Sequence, residues 1–260
     1  MRLFIIDTET TGITATDQVC EIAGTLYQVD QVDANKQNTG SLASISTLIP
    51  ITIANEAEMI NGIPAELTFE ARSFSEQSIA LFKAMAMASD YCVAFNAEFD
   101  APLIDALIGA QRWLCAMQDF EWGYPKVNAY GGYKLIDLAL WMGIGISTAH
   151  RAGDDVRLLV ECMNRLNPLR ALNRGERPNL LEMVEKGITR SQSSVLELQA
   201  YVSYDNRDLA KSAGFAWDGT RKMWVKKVKE CDSAAFLESL NFETMILSIN
   251  GKTHHVVCEF

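Results

Sequence analysis

The run Leu3-Phe4-Ile5-Ile6 breaks off at Asp7-Thr8-Glu9, and Thr10-Thr11-Gly12 follows. Apolar residues in series read as a buried strand, and the triplet of two hydroxyls and a glycine reads as its turn. Side chains alternate across a strand, so Asp7 and Glu9 leave the same face. Two carboxylates that close repel each other, and a divalent cation relieves the repulsion most simply. A strand end opening into solvent, where acids cost little, produces the same pattern. These residues alone do not separate the two readings.

The segments after the turn say what kind of sheet would hold such a strand. Residues 19–29 and 44–49 continue as strands, the second stopped by Pro50. Residues 51–63 have helix-compatible composition up to a turn at Asn61-Gly62. The spacing of Ile79, Phe82, Met85 and Ala86 predicts an amphipathic helix over 74–88, with Ser75 as its cap. A short strand over 91–95 precedes a helix over 100–107 that carries Pro102 in its first turn. Helices over 135–142 and 154–166 complete the series. Strands first, then alternating helix and strand, predict an α/β fold with helices on the faces of a central sheet.

Pro168 and the polar stretch RALNRGERPN mark a boundary. The expected organisation is a main domain over 1–167, a linker over 168–196 with a short helix at 180–186, and a small α+β module over 197–260. Asn250-Gly251 between two apolar runs predicts a two-residue hairpin in that module. No internal repeat is visible.

Composition narrows the class. A chain of 260 residues with 48% hydrophobic content has room for one good core and a smaller one. The six cysteines are scattered, with no C-x-x-C pair, so neither zinc ligation nor a disulfide framework is expected. The apolar start is too short for a signal peptide, and the stretch over 78–95 is broken by Lys83 and Asp90. A cytoplasmic protein without a membrane span is the expectation. The formal charge of −10 is unevenly spread, because residues 201–229 set seven cations against Asp205, Asp208 and Asp218. An acidic body with a basic appendage is compatible with nucleic acid, provided the acids have work of their own.

Two further stretches supply that work. In VAFNAEFDAPLI, Asn96 follows a strand and Asp100 opens a helix, where an acid can also serve as a dipole partner. In AHRAGDDVRLL, His150 precedes Asp155 by five positions, and only three histidines occur in the chain. Taken in order, the three pieces resemble the exonuclease motifs of the DEDDh, DnaQ-like 3′-to-5′ exonucleases over roughly residues 1–167. Asp7 and Glu9 match the first motif, Asp100 the second, and His150 with Asp155 the third. INGIPAELT and KLIDLALWMGIG fall where that family has corresponding text. The histidine spacing matches the His subclass, since the Tyr subclass would place Tyr at Arg151.

The resemblance implies a ribonuclease H-like exonuclease fold and two Mg²⁺ or Mn²⁺ ions held by Asp7, Glu9, Asp100 and Asp155. It implies His150 as general base, and release of nucleoside 5′-monophosphates from a 3′ end. It places the terminal nucleotide on Thr10, Thr11, Gly12 and Ile13, with Ile13 against the base or in the core. Asn61 and Asn96 are the remaining substrate-binding candidates, Asn96 doubling as a possible helix cap. Asn61 and Phe95 stand where the family often has His, which bears on specificity more than on activity. Asp154 reads as a dipole partner, and Glu21, Glu98 and Asp105 as solvated or near-site acids.

The expected partner is a single-stranded 3′ end, DNA before RNA, and homodimers occur in the family. An exoribonuclease of the oligoribonuclease or RNase T kind, and a non-catalytic adaptor that binds nucleic-acid ends, are the rival readings. The tail resembles a small module of bacterial and plasmid DNA-metabolism proteins, through Tyr201, Ala210-Lys211, Gly214, Trp217-Asp218, Lys222 and Trp224. Its tryptophans either stack on single strands or form the module's own core.

Overall fold

The computed structural model describes residues 1–14, 16–30, 39–124, 132–146, 150–166 and 180–258. Pro168 and the polar stretch after it lie outside the described residues. Two compact units emerge, Met1–Gly123 with Lys134–Gly187, and Tyr124–Tyr133 with Ile188–Phe260.

In the first unit, β1 (Arg2–Thr10) pairs antiparallel with β2 (Val19–Gln28), which pairs antiparallel with β3 (Gly40–Leu48). On its other side β1 runs parallel to β4 (Tyr91–Ala94), and β4 to β5 (Trp113–Cys115). The order β3-β2-β1-β4-β5 is a ribonuclease H-like mixed sheet with β1 at its centre. That position explains the unbroken apolar run, because Leu3, Phe4, Ile5 and Ile6 are all buried, on alternating faces. Phe4 and Ile6 pack with Phe82 and Met85 of α3 (Arg72–Met87) and Ile104 of α4 (Ala97–Ile108). The opposite face is covered by α6 (Ala152–Arg165), against which α5 (Leu135–Trp141) packs. Two short helices, α1 (Glu58–Asn61) and α2 (Ala65–Glu70), connect β3 to α3.

Several local expectations are corrected. The first strand runs through both acids to Thr10 instead of ending at Asp7. Ser75 does not cap α3: the helix starts earlier, and Ser75 is a buried interior residue whose hydroxyl donates to the Arg72 carbonyl. Asp100 does not open α4, which begins at Ala97, and Pro102 lies inside the helix, beyond its first turn. Helix α7 (Leu180–Gln192) outruns the short helix expected in a linker. Its Leu180, Met183 and Val184 are buried, and the division between units falls within it, at Gly187.

The second unit is a five-stranded antiparallel sheet ordered β10-β9-β6-β8-β7. Its strands are β6 (Val195–Ala200), β7 (Ala216–Asp218), β8 (Met223–Lys229), β9 (Thr244–Ile249) and β10 (Lys252–Cys258). Helices α8 (Arg207–Ser212) and α9 (Glu230–Glu238) accompany it. Leu196, Leu198, Ala210 and Phe215 form its core, with Trp224, Phe236 and Phe242 packed around them. The expected hairpin is present: Asn250 and Gly251 both adopt positive φ, at 49° and 75°, as a two-residue turn between twisted strands requires. The two tryptophans part company. Trp224 packs on the core, while Trp217, ring to ring with it at 5.5 Å, is 50% exposed.

The five described cysteines outside β10 are free thiols. Among the described residues no helix is long and apolar enough to cross a membrane.

Candidate active site

Because β1 and β4 run parallel, they end at the same edge of the sheet, and α4 starts there from β4. The first turn of α6 meets β1 on the other face. Asp7 and Glu9 project from β1, Asp155 comes from the first turn of α6, and one carboxylate oxygen of each lies within 4.8 Å of the others. All three are half-buried. The β1–β2 register slips immediately after Glu9, a bulge at the point where the strand gives way to the Thr10–Ile13 turn.

Asp100 reaches the same region from α4. It is 3% exposed, and its Oδ1 accepts both the amide of Thr8 (3.1 Å) and the Thr8 hydroxyl (2.7 Å). His150 is exposed, holds φ at 63°, and is near enough to Asp155 to act on its carboxyl. The five residues of the three motifs therefore gather at one end of one sheet.

The electrostatics are those of an uncompensated anion cluster. Burial first, and then Asp100, Asp155, Glu9 and Glu21, push the Asp7 carboxyl well above its usual range. Burial, with Asp155 and Glu21 adding and Arg151 opposing, raises Glu9 to about 7. Burial raises Asp100 to about 6 against the hydrogen bonds from Thr8. Asp155 is raised by burial too, with His150 opposing. None of these four carboxylates forms an ion pair with a lysine or arginine among the described residues. Oxygen donors that no lysine or arginine among the described residues pairs with fit hard divalent ions.

The substrate-facing candidates divide. Ile13 is 91% exposed, so core packing is not its role. The hydroxyls of Thr10 and Thr11 are used within the turn, donating to the Gly12 carbonyl and to Asp17 Oδ1. Gly12 lies close under Asp17: a Cβ there would sit 2.7 Å from its carboxylate, which would have to shift. Asn96 is exposed and makes no capping hydrogen bond, which removes the cap reading and leaves its amide facing solvent. Asn61 lies behind the turn. It is 3% exposed, donates to the Thr10 carbonyl, and accepts from Asn55 Nδ2 and the Ile63 amide. Its amide braces the turn from behind, so a direct substrate contact is not what its surroundings provide.

Three residues of the site escape a reading of the motifs. Thr8, between the two acids, fixes Asp100. Asp17 ties the turn together through Thr11, the Thr14 amide and the Thr14 hydroxyl. Glu21 is no solvated acid, since it is 3% exposed and paired with Arg151 at 2.9 Å. The sequence signal for Glu21 was an acid inside the apolar strand VCEIAG, which burial permits only with a partner.

Fold and site together define an α/β, ribonuclease H-like unit with a carboxylate cluster at one end of its central strand. A sequence relative agrees with that class. The DNA polymerase III subunit epsilon of Treponema pallidum (strain Nichols) is 26% identical over 201 residues, covering 69% of this chain and 86% of that protein. It supports the resemblance to the DEDDh, DnaQ-like exonucleases carried by the acidic motifs. Among solved structures, a full-length 3′-exonuclease matches with a TM-score of 0.49 at 13% identity, over 64% of this chain and 60% of that one. The nuclease domain of 3′hExo, a DEDDh family member bound to rAMP, matches with a TM-score of 0.47 at 13% identity, over 68% of this chain and 97% of that one. Residues 196–246 match a family model described as a domain of unknown function, DUF8626.

Proposed function

We propose that the chain is a metal-dependent 3′-to-5′ exonuclease that releases nucleoside 5′-monophosphates, with single-stranded DNA as its favoured substrate. The observation that carries this reading is the convergence of Asp7, Glu9 and Asp155 within 4.8 Å, with no ion-paired lysine or arginine among the described residues. The name of the Treponema relative supports DNA over RNA.

Asp7, Glu9 and Asp155 would hold two Mg²⁺ or Mn²⁺ ions, with Asp100 fixed beside them by Thr8. When bound, such a pair supplies charge stabilisation for an in-line displacement at phosphorus. His150, exposed beside Asp155, takes the proton of the attacking water on an imidazole nitrogen as general base. The Thr10–Ile13 turn forms the floor under the terminal nucleotide. Ile13 presents an apolar side chain to the base, and the exposed amide of Asn96 is placed to meet a phosphate or sugar. Asn61 and Asp17 hold the floor's shape without touching substrate.

The test is digestion of a 5′-labelled single-stranded DNA and the matching RNA with Mg²⁺, Mn²⁺ or EDTA, by wild type and Asp7→Ala. The expected result is a metal-dependent ladder shortening from the 3′ end, faster on DNA and abolished in the variant. Faster RNA trimming would turn the assignment to an exoribonuclease. Tight binding of both strands without cleavage would turn it to an adaptor for nucleic-acid ends.

A further inference from the structure

Glu21 stands directly opposite Glu9 in the β1–β2 pairing, yet the two carboxylates are handled in opposite ways. Glu9 belongs to the uncompensated cluster. Glu21 is compensated on every side. Its Oε2 accepts Arg151 Nε at 2.9 Å and the Ala152 amide at 3.1 Å. Its Oε1 accepts Arg151 Nη2 at 2.9 Å and the Ser46 hydroxyl at 3.1 Å. With both oxygens engaged, Glu21 is not a further metal ligand.

The partners of Glu21 sit where α6 begins. Arg151 is the residue before the helix and supplies no side-chain cap of its own. The Ala152 amide is one of the helix's unpaired first N–H groups, and Glu21 satisfies it from across the sheet. One carboxylate thus pins both a guanidinium and a helix end to β2. The fork of two parallel N–H bonds fixes the direction and the rotation of the arginine, which a lysine would not do.

Immediately before Arg151 comes His150. Its φ of 63° is a conformation that a non-glycine residue keeps only where its surroundings impose it. The imidazole is exposed, so packing does not impose it. The restraint at the backbone is the clamped Arg151 that follows it. An ion pair with one partner buried and the other 42% exposed is a poor source of net stability, because desolvation of the buried carboxylate offsets the attraction. Its placement here is better accounted for by the geometry it enforces.

We infer that the Glu21–Arg151 fork is a positioning device that aims His150 at the carboxylate cluster, an inference that rests on the exonuclease reading above. Glu21 and Arg151 are positioning residues, and the group they act through is the imidazole.

A double-mutant cycle tests this on labelled single-stranded DNA with Mg²⁺. The variants are Glu21→Gln and Arg151→Lys, each in the wild-type and His150→Ala backgrounds. Arg151→Lys keeps the charge on a side chain that is 42% exposed, so it serves where Glu21→Gln fails to fold, as circular dichroism melting would show. In the wild-type background each is expected to lower kcat by about tenfold to a hundredfold, part of what a positioned general base contributes. KM and the Mn²⁺ concentration giving half-maximal thermal protection should move by no more than about twofold, since the cluster is intact. In the His150→Ala background the same substitutions should cost less than about twofold, because the group they position is gone. Equal losses in both backgrounds would overturn the inference, and so would unchanged kcat in both variants. A wild-type protein that trims neither strand would instead refute the exonuclease reading, and this inference with it.

Discussion

Two groups of acids, one in each unit, are treated in opposite ways. In the second, Glu197 and Asp218 share one guanidinium: Arg221 donates Nη1 and Nη2 to Glu197 at 2.9 and 2.8 Å, and Nε to Asp218 at 2.7 Å. Hydrogen bonds from Arg221 hold both carboxyls below their usual range. In the first, Asp7, Glu9, Asp100 and Asp155 gather without a bonded lysine or arginine among the described residues and are all raised. A carboxylate that the chain neutralises itself is structural and closed to solution chemistry. A cluster it leaves unpaired is relieved by protonation or by a counter-ion taken from solution. The contrast recurs within a single strand pair, at Glu21 and Glu9.

The largest effect that would break this comparison is on Asp7. Asp7→Asn removes a half-buried charge while keeping its shape, so the variant should lose thermal protection by Mn²⁺ and, in EDTA at pH 8, melt above wild type. Wild-type protection should reach about 2.7 kcal/mol at a metal concentration a hundred times Kd. Differential scanning calorimetry reads both. A variant that Mn²⁺ protects as well as wild type would remove Asp7 from the metal site.

A smaller effect sharpens the comparison through pH. A raised carboxyl is protonated in the folded chain at a pH where the unfolded chain has already lost its proton, so its ionisation costs stability. In EDTA the melting temperature should therefore fall by a few degrees as pH climbs from 4.5 through about 7, the span of the Glu9 shift. Saturating Mg²⁺ should flatten that slope. Glu197 and Asp218 have the opposite sign, and the stability they add is lost only on acidification through their lowered values. An EDTA curve that rises over the same span would mean that the cluster is compensated after all.

The smallest effect is expected at Arg221. Its side chain is 41% exposed, and exposed pairs contribute about 0–1 kcal/mol. Arg221→Ala should cost no more than that in urea unfolding, with trimming unchanged. A loss of several kcal/mol would make this fork the keystone of the second unit.

How much of this was legible depended on how local the cause was. The acids could be read because strand alternation and helix starts are short-range facts, and Asn250-Gly251 because its turn needs only two residues. Helix α3 followed from its apolar spacing, but its cap did not, since Ala71 takes the N-cap position without a capping hydrogen bond and Ser75 falls inside. Pro102 was misplaced because α4 starts three residues before Asp100. Glu21, Thr8 and Asn61 were illegible for a common reason. Their partners lie 130, 92 and 51 residues away, at Arg151, Asp100 and Thr10, and no local pattern names them. The tail's cations are a related case. Arg221 and Lys211 are committed to ion pairs, and Lys226 lies over the Phe236 ring at 4.2 Å, so composition overstated the free positive charge.

The slip in register after Glu9 has a consequence for how this molecule can vary. Up to that point the pairing is strict, with Glu9 against Glu21; beyond it Thr10 meets Val19, and Cys20 is the additional residue. A one-residue insertion within Arg2–Glu9 would swap inward for outward and turn the acids away from α6. A change of length in the Thr11–Gln18 loop meets a junction where the even–odd count is already broken, so it stops there. The loop that would meet different substrates is thereby free to lengthen or shorten by inheritance, while the parity of the strand that carries the acids is left as it was.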